Sequence, residues 1–343
     1  VSTRSKQLVK ILIRILITAG LLVWVFSQID FGQFRQAVKT ARWQLLIALW
    51  ALTAVIFWIN AFKIQLILKK QGCNVGLVML FGASAMTQLY GMIIPGILST
   101  GVKWYVLTKS TGKGSNVLSG MVYNQLSIMI VMMVFGLGAL MIINPVSLMA
   151  AEAESQWLLP VACGVLMVLI LSVTLLALNG RTGGKIVKVL KLLLGPLPAG
   201  PRQKGRTFID HVAVFQTVGA WFHVTTALLT IIANLIGGAF MYVLSARAAN
   251  VAAPLLVLVC MCSAVYVLGR VPITIANLGV REVTLVGFLS FYGVEKSSAL
   301  LMSMILFSAT IFMAIIGAIY QICWAASSRK YTKSNDDEKM SCL

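Results

Sequence analysis

The chain has 343 residues, of which 59% are hydrophobic and 11% charged, with 28 Lys+Arg against 9 Asp+Glu and a formal net charge of +19. Soluble domains carry roughly a quarter charged residues, so a chain this long and this apolar excludes a soluble globular enzyme and reads as a polytopic membrane protein. The basic residues stand in short clusters between long apolar runs, a pattern of membrane-topology signals and not of a nucleic-acid footprint, so no nucleic-acid partner is expected.

A helix needs about 20 apolar residues to cross the hydrocarbon core. The runs 9–27, 43–66, 115–143, 156–178, 217–244 and 298–326 meet that requirement. The first follows Arg4, Lys6 and Lys10 and reads as a retained span, because Trp24-Val25-Phe26 is no small-residue cleavage site. Residues 28–42 read as a short surface helix. The next apolar stretch, 77–108, is broken by Pro95-Gly96 and Gly101, and so reads as a helical hairpin interrupted at membrane depth. Tyr123, Asn124 and Gln125 open the 115–143 run; with Asn60, Gln88, Gln216 and Asn234 they are expected to hydrogen-bond between helices, contributing about 0.6 kcal/mol each. Gly136, Gly138 and Gly237-Gly238 are expected to allow close packing.

The loop 179–210 carries Arg181, Lys185, Lys188, Lys191, Arg202, Lys204 and Arg206 around Gly195-Pro196-Leu197-Pro198. Its first part reads equally as an interfacial amphipathic helix drawn to anionic lipid head groups and as a solvated topogenic loop. The stretch 253–293 holds Arg270, Pro272, Asn277, Gly279, Arg281 and Glu282 in its middle and reads as a second interrupted hairpin. From Ser327 the chain turns polar and is expected to be disordered.

The predicted fold class is therefore all-α. It comprises about six full transmembrane helices and two re-entrant helical hairpins in one membrane domain, residues 1–327, followed by a polar cytoplasmic tail, 328–343. With the N-terminus cytoplasmic and each hairpin returning to the side it left, most of the basic residues fall inside, including Lys63, Lys69 and Lys70 and the whole 179–210 loop. Only Arg35, Lys39, Arg42, Arg247 and Lys296 then fall outside. The positive-inside rule thus favours an N-in, C-in arrangement in a bacterial-type cytoplasmic (inner) membrane.

The six cysteines contain no C-x-x-C pair and read as small core hydrophobes, while His211 and His223 have no carboxylate cluster beside them. No metal, covalent nucleophile or cofactor is expected. The chemistry lies in intramembrane charge. Pro95 leads to Gly101-Val102-Lys103, and Pro272 to Gly279-Val280-Arg281, so a proline, a short linker and a Gly-Val-cation triplet recur in hairpins of opposite orientation. Such inverted repeats are the arrangement of many transporters.

A cation at the bilayer centre costs about 2.5–3.5 kcal/mol, and residues there are functional candidates. Lys103 and Arg281, each expected just inside a half-helix start where free N–H groups favour an anion, would hold a lipid phosphate at the midplane. Glu282 is expected to pair with Arg270 or Lys103, since adjacent residues on a helix diverge. A structural ion network of Arg270, Arg281 and Glu282, or an Arg270 that snorkels to an interface, is the competing reading.

The run Arg270 to Val286, with Pro272 ahead of Leu278-Gly279-Val280-Arg281-Glu282, resembles the P-x-x-x-x-x-LGVRE segment of the lysylphosphatidylglycerol synthase transmembrane-region family, the flippase-like domain. Ile94 to Lys109 resembles its other signature, a proline-glycine turn leading to a basic residue and a Tyr/Leu-rich half-helix, here with Lys103 and Tyr105. The resemblance covers about residues 5–327. It implies a translocase that moves polar lipids between leaflets. Its site would be lined by Pro95, Gly101, Lys103, Tyr105, Arg270, Pro272, Asn277, Gly279, Arg281 and Glu282, and its partner would be a phospholipid or polyprenyl-linked lipid. Some members carry an aminoacyl transferase; with the chain ending soon after its last apolar run, none is expected here, and no enzyme activity. Val102, Ala276-Asn277 and Asn124-Gln125 depart from the acidic residue, glycine-rich pair and Glu-Arg pair often found in the family, which bears on the lipid taken. The alternative function is an accessory membrane protein that docks a lipid-modifying or glycan-assembly enzyme through the 179–210 loop.

Overall fold

The computed structural model describes residues 31–93, 97–144, 157–178, 183–184, 188, 192, 199–269 and 278–340. All regular structure among them is helical: α1 (Phe31–Thr40), α2 (Gln44–Lys70), α3 (Leu77–Ile93), α4 (Ile97–Thr111), α5 (Gly114–Ile143), α6 (Leu158–Leu178), α7 (Ala199–Thr217), α8 (Ala220–Ala248), α9 (Leu255–Leu268), α10 (Val280–Ser290) and α11 (Lys296–Met340).

Five of these, α2, α5, α6, α8 and the Lys296–Trp324 part of α11, are long and apolar enough to cross a membrane. At 1.5 Å per residue even the shortest, the 21 residues of α6, extends about 32 Å, against a hydrocarbon core of about 30 Å. They correspond to the expected spans at 43–66, 115–143, 156–178, 217–244 and 298–326. The expected span at 9–27 lies outside the described residues, as do Pro95, Arg270, Pro272, Asn277, nearly all of the amphipathic segment at 185–194 and the side chain of His211.

Each interrupted stretch is resolved into two short helices. α3 and α4 have 17 and 15 residues, α9 and α10 have 14 and 11, and each alone falls short of the roughly 20 needed to span. α3 and α4 pack side by side, and so do α9 and α10. Two apolar clusters accompany them. Leu80, Ala83, Met86, Val106 and Leu107 of the first stretch pack with Ala61, Ile64 and Leu68 of α2, while Leu258, Met261, Leu285 and Leu289 of the second pack with Leu300, Met302 and Ile305 of α11.

Small residues set the closest approaches, as expected where lipid removes the hydrophobic drive between helices. A Cβ at Gly136 would stand 2.8 Å from Ser263, one at Gly237 2.8 Å from Ile56, and one at Gly238 2.7 Å from Cys262, so these glycines admit their neighbours; Gly138 faces open space. The tightest crossing is between α3 and α11, at Gly82 against Tyr320 and Gly317 against Ala85.

Three features differ from expectation. The second half of the basic loop is the helix α7, which seats the buried Phe215 against Tyr123 of α5 at 4.2 Å between ring centroids. Pro201 falls in its first turn, where a missing N–H breaks no helical bond. α11 continues to Met340, where a disordered tail was expected from Ser327: lengthening an existing helix fixes one residue per hydrogen bond gained and avoids the unfavourable nucleation step. α8 contains a π-helical turn at Ile231–Ile236 that hydropathy cannot reveal.

Candidate functional site

The start of α10 is built by a local rule. Gly279 occupies the N-cap with φ 84° and ψ −51°, a conformation that side chains on Cβ disfavour. Its N–H donates to Glu282 Oε2 at 2.6 Å, so the carboxylate at the third helical position turns back over the helix end as in a capping box. That turn brings Glu282 to its sequence neighbour. Arg281 Nη2 donates to Glu282 Oε1 at 2.5 Å, and Arg281 Nε donates to Ser303 Oγ of α11 at 2.8 Å. Ser303 Oγ donates to the same carboxylate oxygen at 2.8 Å, and the guanidinium lies 5.1 Å from the Phe307 ring centroid. Arg281 is 8% exposed and Glu282 3%.

The expected pairing of Glu282 with Lys103 is therefore corrected: among the described residues its ionic partner is Arg281, while Arg270 lies outside them. Adjacent side chains diverge in a helix interior, but at this helix end the capping turn folds Glu282 backward and the long Arg281 side chain reaches it. Gly279→Ala should cost about 1–3 kcal/mol, the range for backbone strain at such a position. Gly279→Asn should do no better, because ψ −51° lies outside the left-handed helical region that Asn tolerates. Thermal unfolding in detergent, followed by size exclusion, checks both.

Lys103 sits elsewhere in the local geometry. α4 begins at Ile97, so Lys103 is not just inside a helix start but nearly two turns along it, and Gly101 lies within the helix and is no linker. The two Gly-Val-cation triplets thus occupy different positions in their helices: Gly279 is an N-cap, Gly101 a helical interior residue. Lys103 is 9% exposed and donates from Nζ to Ser84 Oγ of α3 at 2.7 Å, tying the two helices together. Tyr105, two residues on and so not on the same helix face, is 56% exposed.

A further cation was hidden in the sequence. Lys63, counted there with Lys69 and Lys70 among the cytoplasmic charges, is 0% exposed, about 10 Å along α2 from Lys70 at the helical rise. It donates to Thr230 Oγ1 of α8 at 3.1 Å, and Ser127 of α5 lies 3.2 Å from the same hydroxyl. One turn away Asn234 donates to Asn60 at 3.1 Å. Among the described residues neither Lys63 nor Lys103 is paired with a carboxylate. The available signal was Asn60 and Lys63, spaced i, i+3 on one face of an otherwise apolar span.

Two other polar residues of the spans bond between helices as expected, Gln125 donating to Tyr266 at 3.2 Å and Tyr123 sharing a 2.7 Å bond with His223 Nδ1, whereas Asn124 Oδ1 is buried with no partner among the described residues. No group of three metal-ligating side chains occurs among the described residues.

The family model described as the lysylphosphatidylglycerol synthase TM region matches residues 11–317, nearly the whole chain. The chain belongs to this family. Among curated proteins none matches it. Within the lysylphosphatidylglycerol synthase TM region, a membrane domain linked to lipid synthesis or flipping, the matched residues take in both interrupted stretches, the Arg281–Glu282 pair and the buried lysines. The chain is a multi-pass membrane protein.

Proposed function

We propose that this chain is a lipid translocase of the cytoplasmic (inner) membrane and not an enzyme. It takes an anionic or polyprenyl-phosphate-linked lipid head group into a site at membrane depth and passes it between leaflets. The observation that carries the reading is Lys103, buried beside an interrupted pair of short helices with no carboxylate paired to it among the described residues. Unwound backbone is tolerated at membrane depth only where protein buries it or a wet cavity is lined, and a buried cation there calls for an anion.

In this reading the two interrupted stretches are re-entrant hairpins with an N-in, C-in arrangement. Lys103 holds the phosphate. Arg281, already engaged by Glu282 and Ser303, serves with them to anchor α10 on α11.

The test is leaflet exchange in liposomes of tail-labelled phosphatidylglycerol and of a labelled polyprenyl phosphate. Exchange faster than in empty liposomes is expected for at least one lipid, with Lys103→Met returning it to background. Exchange no faster than background for both, with a lipid-modifying or glycan-assembly enzyme copurifying, would replace this reading with the accessory one.

A further inference from the structure

The turn that follows α2 meets the turn that follows α4. Lys113 Nζ, between α4 and α5, donates to the Gly72 carbonyl at 3.0 Å, and Asn116 Nδ2 donates to the Gln71 carbonyl at 3.0 Å. Lys69, Lys70, Lys109 and Lys113 therefore stand at one end of the bundle, all exposed, and among the described residues none of them is paired with a carboxylate. Three have a contact that holds them. Lys113 is on that carbonyl, Lys70 lies 5.9 Å from the Phe222 ring centroid, and Lys109 lies 5.2 Å from that of Trp324. The Lys69 ammonium has no such partner among the described residues.

Lys69 instead lines a cleft of about 440 Å³ between α2 and the turn into α3, a size within the roughly 300–1,000 Å³ of small-ligand sites. On the α2 side Phe62, Leu66 and Lys69 follow one another at i, i+4 and i+7, on one helix face. Asn74, Val75 and Gly76 line the other side, and Gln65 Nε2 donates to the Val75 carbonyl at 2.8 Å, which ties the two sides together. The cleft is thus graded along α2, apolar at Phe62 and Leu66 and polar at Lys69. The apolar lane continues past it on the same face through the exposed Trp58 and Val55, with Trp58 stacked on Phe81 of α3 at 4.9 Å. From Lys69 to Val55 the lane runs about 21 Å at the helical rise, enough to cover the roughly 15 Å of hydrocarbon in one leaflet.

We infer that this cleft seats one anionic phospholipid, with its phosphate at Lys69 and Asn74 and an acyl chain along Leu66, Phe62 and Trp58. Charge and shape choose the occupant. Four cations without a carboxylate among the described residues favour a head group of net negative charge over a zwitterionic one. The apolar lane rewards an attached chain, which a free phosphate lacks. The seat is separate from Lys103 and stands whether or not the protein moves lipid; only its assignment to the cytoplasmic leaflet rests on the N-in, C-in reading.

The full chain in neutral mixed micelles is photo-crosslinked to phosphatidylglycerol carrying a diazirine in its acyl chain, and the labelled residues are read by peptide mass spectrometry. Label is expected within 55–66. Dioleoyl phosphatidylglycerol should compete at least about fivefold better than dioleoyl phosphatidylcholine, the effect of one lysine near an anionic head group. Lys69→Met should weaken labelling by about the same factor. Gly76→Phe should abolish it: a Cβ there meets nothing within 4 Å, so the fold accommodates the ring while the ring fills the cleft. Lys70→Met removes the same charge one residue away, outside the lining, and should leave labelling unchanged, as should Lys103→Met.

Equal competition by the two lipids, equal losses in Lys69→Met and Lys70→Met, or label that survives Gly76→Phe would overturn the inference in favour of diffuse attraction to the surface. Competition by glycerol 3-phosphate as strong as by phosphatidylglycerol would overturn it in favour of a free phosphate. Label lost in Lys103→Met but kept in Lys69→Met would overturn it by assigning the lipid to the Lys103 site. Label with the expected pattern and no leaflet exchange would sink the translocase and leave this seat standing.

Discussion

Glu282→Ala is expected to lose about 3–5 kcal/mol of stability, the range for breaking a buried ion pair and leaving one charge behind. Two losses combine. The Gly279 N–H loses its 2.6 Å acceptor, so the first turn of α10 is uncapped, and the Arg281 guanidinium keeps, among the described residues, the Ser303 hydroxyl and the Phe307 face beside it but no counter-charge. Arg281→Met alone leaves a carboxylate that still accepts from Gly279 and Ser303, so it should cost less. The double variant Arg281→Met with Glu282→Gln keeps a capping oxygen and carries no charge, and should recover most of the Glu282→Ala loss. A double-mutant cycle on reversible unfolding in mixed micelles measures the coupling, and additive losses would show that the pair does not hold α10 to α11.

Gly317→Ala should destabilise at the upper end of the roughly 1–3 kcal/mol typical of overpacking, although Ala is the better helix former. A Cβ at 317 would stand 2.3 Å from the Ala85 carbonyl oxygen and 2.5 Å from its carbon. No side-chain rotation relieves a clash with backbone, so α3 and α11 would have to separate, and the Gly82–Tyr320 contact along the same crossing would open with them. Gly138→Ala is the control: nothing lies within 4 Å of its Cβ, so the change should be neutral or stabilise by up to about 1 kcal/mol. Opposite signs in a thermal-shift comparison would establish that packing, and not propensity, governs the crossing.

Hydropathy placed the spans because crossing a membrane is a requirement on length and composition, which a linear sequence carries directly. The same holds for the interruptions at 77–108 and 253–293, where prolines, glycines and charges break an apolar run. Local chemistry was partly legible too: Leu278-Gly279-Val280-Arg281-Glu282 marks a helix start, with glycine at the N-cap and the acid three residues on. What misled was the rule that neighbours on a helix diverge, which holds in a helix interior and fails at an end where the acid folds back.

The sequence by itself therefore determined the class of protein, five of its spanning helices and the sites of the two breaks, since each follows from the order of apolar and polar residues along the chain. Only the tertiary structure decided which charges are buried and what they bond to. Lys63 follows Asn60 by three residues and precedes Lys69-Lys70 by six, a placement that suits a side chain reaching the interface. Its burial depends on α8 bringing Thr230 against α2, a contact between segments distant in sequence.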